Sequence, residues 1–144
     1  MAATCIPEIE ISTDSERIDL DVVHGFLTSS YWARDRSRDV VERSIRHSLC
    51  FSAFLDSRQI AFARMITDRS TFAYLADVFV IPEYQGKGIG KHLISQILAH
   101  PDLHDLRLIM LRTLDAQKLY QKFGFSEARN PERLMELRGS SFAK

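Results

Sequence analysis

The sequence predicts an α/β fold of the α+β kind: a central sheet of six to seven strands with about four helices, in the order βααβββαβαββ. Three observations predict it. Three β-rich runs follow one another across breaks of only three polar residues, apolar residues recur at helical spacing on both sides of them, and a glycine-rich loop joins the third run to a helix.

The elements follow in order. Glu8-Ile9-Glu10-Ile11-Ser12 alternates as a short strand, and Ile18, Val22, Val23, Phe26 and Leu27 then recur at the spacing of a helix. Residues 30 to 37 are polar and aromatic without a period. Ser37 caps a second helix that carries Val40, Val41, Ser44 and Ile45 and runs through His47. Leu49 to Leu55, Gln59 to Thr67 and Thr71 to Val80 are the three β-rich runs, and the breaks Asp56-Ser57-Arg58 and Asp68-Arg69-Ser70 imply an antiparallel meander. Beyond Pro82 and the glycine loop, Ile89, Leu93, Ile94, Ile97 and Leu98 share one helical face that Pro101 ends. Arg107 to Arg112 is a further strand. Ala116, Leu119, Tyr120 and Phe123 form a fourth helix stopped by Gly124, and Phe125 to Ala128 and Arg133 to Leu137 are expected as two final strands.

Composition narrows the function classes. With 144 residues and 45% hydrophobic content, one core is expected, and no repeat, linker or boundary divides the chain, so residues 1–144 read as a single domain ending in a frayed tail from Gly139. Nineteen basic and nineteen acidic side chains cancel, which removes the global attraction of a nucleic-acid binder. Cys5 and Cys50 are the two cysteines, too few for a disulfide framework, and Cys50 stands in the apolar run Leu49-Cys50-Phe51. Residues 1–7 lack the pattern of a leader, and no apolar run approaches the ~20 residues that span a bilayer, so the expectation is a cytoplasmic protein with no membrane partner. The five histidines show no metal-ligand spacing, and no metal is expected.

The loop Gln85-Gly86-Lys87-Gly88-Ile89-Gly90, set between a strand and a helix, presents consecutive backbone amides at the positive end of a helix dipole. Gly88 and Gly90 let the main chain approach phosphate oxygens, and Lys87 and Lys91 add charge, so a pyrophosphate is the natural guest. Of two other phosphate loops, the P-loop fails and the dinucleotide loop of a Rossmann-type enzyme, a further alternative, fits weakly. A P-loop needs four residues before its Gly-Lys pair and a Ser or Thr after it, whereas three intervene here and His92 follows. The dinucleotide fingerprint places its third glycine further from the second than Gly90 stands from Gly88, and it belongs to a parallel βαβ unit.

These residues resemble the GNAT superfamily of N-acetyltransferases. Its Gln/Arg-x-x-Gly-x-Gly/Ala hallmark is matched by Gln85, Gly88 and Gly90, and Val78-Phe79-Val80-Ile81-Pro82-Glu83-Tyr84 looks like its fourth strand and exit. Ala116-Gln117-Lys118-Leu119-Tyr120-Gln121-Lys122-Phe123-Gly124-Phe125 is similar to the family's Asn-x-x-Ala-x-x-Leu-Tyr-x-x-x-Gly-Phe, with Thr113 where the Asn often stands. The resemblance covers roughly residues 50 to 128. It implies a mixed sheet splayed between the fourth and fifth strands, with acetyl-CoA as co-substrate. The pantetheine arm would pair with backbone groups of Val78, Phe79 and Val80, the pyrophosphate would sit on Gly86 to Lys91 including Ile89, and Thr113 would stand at a cofactor contact.

The resemblance also implies roles in direct transfer to a primary amine within a ternary complex. Tyr120 matches the family's general acid, and a phenol with a pKa of ~10 is protonated when the leaving sulfur needs a proton. Spacing alone would read Tyr120 as part of the apolar face of its helix. The oxyanion would be met by a backbone amide near Val78 or Phe79, at a bulge in the fourth strand. A family relative with Glu-Asp in this strand aligns its Glu with Ala76, which leaves Asp77 as the nearby carboxylate and candidate base. In an ideal strand, however, Asp77 alternates away from Tyr74, Ala76 and Val78. Tyr31, Trp32 and Arg36 fall where the family lines its acceptor site, and Arg36 is suited to a carboxylate or phosphate. The same residues read equally as a staple between the first two helices. The acceptor expected is a small-molecule amine, with peptide amines and a non-catalytic acyl-CoA-binding domain as alternatives, and a homodimer is left open.

Overall fold

The computed structural model describes residues 8–139; residues 1–7, Cys5 among them, and the tail beyond Gly139 lie outside them. The chain forms two compact units, residues 1–112 and 113–144.

The first unit holds a five-stranded sheet in sequential order. β1 (Glu10–Ser12) pairs with β2 (Leu49–Leu55), β2 with β3 (Arg58–Thr67) and β3 with β4 (Phe72–Val80), all antiparallel, while β5 (Leu108–Leu111) lies parallel to β4. The meander expected from the short breaks is therefore present. At the first break, Asp56 and Ser57 both take positive φ, 49° and 70°, the two-residue turn whose twist matches paired strands. At the second, the Asp68 carboxylate accepts from the amides of Ser70, Thr71 and Phe72 and from the Thr71 hydroxyl, which holds its pKa well below the usual carboxylate range.

α1 (Leu20–Ser29) begins two residues later than Ile18, because Asp14 caps a separate 3-10 turn over Ser15–Arg17 and Asp19 then caps α1 through the amides of Asp21 and Val22. α2 (Arg38–Arg46) starts where expected, with the Ser37 hydroxyl accepting from Val40 N. Val41 and Ile45 face inward, whereas Val40 lies on the exposed side, since one residue turns a helix by about 100°. α3 (Ile89–Leu98) packs on β2, β3 and β4 through Ile89, Leu93, Ile94 and Ile97. The opposite face of the sheet meets α1, where Phe26 stacks on Phe79 with centroids 4.2 Å apart and Phe79 tilts against Phe62.

The second unit contains α4 (Gln117–Gln121) and a 3-10 turn at Pro131–Arg133. The two final strands expected from the sequence do not form among the described residues, so the sheet has five strands rather than six or seven. Each loses its first residue to a neighbouring turn: the Phe125 amide bonds to the Tyr120 carbonyl to close α4, and Arg133 belongs to the 3-10 turn. A β-prone segment gains little without a ladder partner and a buried face, and Met135 and Leu137 are 94% and 100% exposed.

Candidate active site

The fourth strand sets the geometry. Pairing between β4 and β5 stops at Leu75 opposite Leu111, so among the described residues Ala76 to Val80 have a strand neighbour only on the β3 side. Within β3 and β4, Phe62 faces Phe79 and Arg64 faces Ala76, two residues against three, which inserts a bulge. Asp77 occupies it with φ of 54°, a left-handed conformation that Asp tolerates better than most residues.

The bulge changes the expected direction of Asp77. Instead of alternating away, it shares the face of Ala76, because it bonds to Arg64, the cross-strand partner of Ala76. The phase of the strand is shifted there by the extra residue, so Phe79 then reaches Phe26 while Val80 Cγ2 lies towards Gly90 of α3.

Three donors converge on the Asp77 carboxylate. Trp32 Nε1 donates to Oδ1 at 3.1 Å, and Arg36 Nη1 and Arg64 Nε donate to Oδ2 at 2.8 and 2.9 Å. The carboxylate is nearly sealed, with 2% of its side chain exposed against 10% for Arg64 and 23% for Arg36. Such a carboxylate is held in place by charge-assisted bonds, and removing either arginine would leave a buried charge short of a partner. Tyr31 meets Trp32 edge-on and Phe26 also packs on Trp32, so the segment between α1 and α2 is tied down by aromatic contacts as well as by charge. His24 Nε2 lies 3.2 Å from the Arg36 carbonyl oxygen. Sequence reading brought Trp32, Arg36 and Asp77 forward separately; Arg64 was missed, although a lone arginine inside the apolar run Ile60 to Ile66 was its visible signal.

The glycine loop leaves β4 through a 3-10 turn at Pro82–Tyr84, and Gln85 Nε2 ties it back to the Val80 carbonyl at 2.8 Å. Gly86 and Gly88 take φ of 79° and 82°, where side chains are strained, and Gly88 is the N-cap of α3 without any side-chain cap. None of the backbone amides of residues 86 to 91 donates to an acceptor among the described residues; the first helical bond is His92 N to Gly88 O. Lys87 Nζ lies 5.5 Å from the Tyr84 ring centroid, and Lys91 is exposed. A Cβ on Gly90 would meet only Val80 Cγ2, at an ordinary 3.8 Å, so the protein itself does not demand glycine at that position.

In the second unit, the Thr113 hydroxyl accepts from Ala116 N at 3.0 Å and so starts the turn into α4. Gly124, at φ of 96°, ends the helix with its amide on Gln121 O while Phe125 N reaches Tyr120 O, and the Phe125 ring lies edge-on to Tyr120 at 5.7 Å. This is a Schellman cap with its hydrophobic contact, and it explains why a Gly-Phe pair follows the tyrosine at that distance. Burial pushes the Tyr120 phenol up from its ordinary pKa. Among the described residues no three His, Cys, Asp or Glu side chains are grouped to hold a metal, and no helix is long and apolar enough to cross a membrane.

A bulged fourth strand released from its neighbour and a capless, glycine-led helix start define an acyltransferase of the GNAT type. The GNAT acetyltransferase domain matches residues 46–127, and the chain belongs to that family. A Gibberella zeae protein assigned as an acetyltransferase is 33% identical, with 78% of this chain and 75% of that protein covered. A GNAT-family protein of Xanthomonas campestris pv. campestris superimposes with a TM-score of 0.90 at 46% identity, over 92% of this chain and 94% of that one. A Staphylococcus aureus protein shares the fold, with a TM-score of 0.73 at 21% identity over 92% and 100% of the two chains. The protein is thus an acetyltransferase of GNAT type, from a family that generally uses acetyl-CoA.

Proposed function

We propose that residues 1–144 act as one N-acetyltransferase domain that moves the acetyl group of acetyl-CoA to the primary amine of a small molecule by direct transfer in a ternary complex. The observation that carries this reading is the run of amides from Gly86 to Lys91, at the start of α3, that have no acceptor among the described residues. Such donors fit a pyrophosphate, and Lys87 and Lys91 supply matching charge. Gly90, which no neighbouring protein atom requires, fits a ligand lying against the helix start.

Acetyl-CoA would supply an activated thioester. Backbone groups of Val78, Phe79 and Val80, without a strand partner on the β5 side among the described residues, suit an extended pantetheine arm, the Val80 carbonyl excepted because Gln85 Nε2 already donates to it, and Thr113 would stand at a further cofactor contact. In that transfer the amine nitrogen would form its bond to the acetyl carbon as the carbon–sulfur bond breaks, and the Tyr120 phenol would donate its proton to the departing sulfur. A buried, hence protonated, phenol suits that role. The amide beside the bulge at Val78 would meet the oxygen on which charge grows. Asp77, engaged by two arginines, is better fitted to holding Trp32 and Arg36 than to taking the amine's proton, which a water relay would remove.

The test is Tyr120→Phe, followed by thiol release with a panel of amines. Turnover should fall by ~10²–10⁴ while acetyl-CoA affinity is kept; an unchanged rate removes Tyr120 from the mechanism.

A further inference from the structure

We propose that the acceptor amine carries a carboxylate, and that Arg36 is the residue that reads it. The inference rests on the reading of Tyr31, Trp32 and Arg36 as acceptor-lining residues. It starts from charge. Two guanidiniums, Arg36 and Arg64, share one carboxylate, Asp77, so the cluster carries two positive charges against one negative, a surplus of one. No second carboxylate among the described residues pairs with either arginine. A surplus of one charge matches the single negative charge of a carboxylate better than the nearly double charge of a phosphate monoester.

Geometry says which arginine is available. Arg64 is the more buried, and it spends Nε on Asp77 and Nη1 on the Ser48 hydroxyl at 3.2 Å. Arg36 gives only Nη1 to Asp77, and its Nε and Nη2 have no partner among the described residues. Those two nitrogens form one edge of the planar guanidinium, the two-pronged edge that accepts a carboxylate through parallel hydrogen bonds. Asp77 therefore orients the guanidinium without using that fork. The Arg36 side chain keeps 23% of its surface open, enough for a ligand to reach it, and the half-exposed Trp32 and exposed Tyr31 stand beside it as an apolar wall. An unpaired, partly desolvated fork held rigid by a buried acid is preorganised for an anion. The acceptor class that follows is an amino acid or another amine with an appended carboxylate.

Trp32 makes the test direct, because it is the only tryptophan and its indole N–H sits in the cluster. The full chain, without acetyl-CoA, is titrated with a panel of amino acids, each paired with the amine left when its carboxylate is removed, while Trp32 emission is followed. At least one amino acid should give a saturable change, with its decarboxylated partner bound ~10-fold or more weakly, the effect of losing a charge-assisted pair. Arg36→Gln should bring the two arms together, and Arg36→Lys should restore part of the gap, since a point charge lacks the fork. Retained far-UV circular dichroism shows that each variant is folded. Equal binding of both arms, a preference unchanged in Arg36→Gln, or no saturable change with any amino acid overturns the proposal, and tighter competition by inorganic phosphate overturns the carboxylate in favour of a phosphate. Because this readout needs no turnover, a carboxylate preference without thiol release would sink the acetyl-transfer reading alone.

Discussion

Replacing Asp77 by asparagine keeps the shape of the side chain and its tolerance of a left-handed backbone, yet removes the charge that Arg36 and Arg64 share. Leaving a buried cation without its partner costs ~3–5 kcal/mol where both groups are sealed. Arg64 approaches that limit, while Arg36 retains water over part of its surface and contributes closer to the ~0–1 kcal/mol of an exposed pair. With its oxygen in the place of Oδ2, asparagine still accepts from both arginines, while its NH2 group meets the Trp32 N–H donor to donor, so the expected loss is about 2–4 kcal/mol. For a chain of this length that corresponds to a fall in Tm of roughly 5–15 °C. Asp77→Ala should lose about 1 kcal/mol more, because alanine at φ of 54° meets the left-handed penalty as well. Urea denaturation followed through Trp32 emission reads the first unit, where all these residues lie. Asp77→Asn within ~0.5 kcal/mol of the parent, the range of an inconsequential surface change, or Asp77→Ala more stable than Asp77→Asn, would refute the reasoning.

Three further outcomes follow. Gly90→Ala should leave stability unchanged or raise it by up to ~1 kcal/mol, since alanine favours a helix and its Cβ meets only Val80, while acetyl-CoA binding measured by calorimetry weakens about tenfold; unchanged affinity would separate the glycine from the cofactor. Burial raises the Tyr120 phenol, so the alkaline limb of kcat should lie above pH ~10 and be absent from any residual activity of Tyr120→Phe. The linked stability is present below pH ~10 and is lost as pH rises through the raised value. Burial also pushes the Cys50 thiol up to about 12, so between pH ~9 and about 12 the unfolded chain ionises this thiol first and stability falls by at most about 1.4 kcal/mol per pH unit. Cys50→Ala should flatten that part of the profile, and an unaltered slope in denaturation would reject the assignment.

Much of the scaffold was legible because it depends on local rules. Leu49 to Leu55 is a strand at both ends as predicted, Ser37 caps α2 through Val40, and Gln85 to Lys91 leads into α3 with left-handed glycines where the loop has to turn. The Tyr120-to-Phe125 spacing was read as a motif, and its physical content proved to be a helix cap whose aromatic contact holds the tyrosine. The final strands were misjudged because β-propensity has no value until a ladder partner is present, and the stretch from Phe125 to Leu137 cannot by itself show whether one arrives.

Along the chain, then, residue order by itself determined the meander, the helix starts and the glycine loop, since each is set by periodicity, caps and backbone conformations of neighbouring residues. Only the tertiary structure decided what Asp77 does. One inserted residue in β4 turns it onto the face of Ala76, and that brings together Trp32, Arg36 and Arg64 from up to 45 positions away. A bulge arises from how two strands fit against each other, and the partners of a buried charge arise from which distant donors the fold carries to it. Neither is written in local spacing.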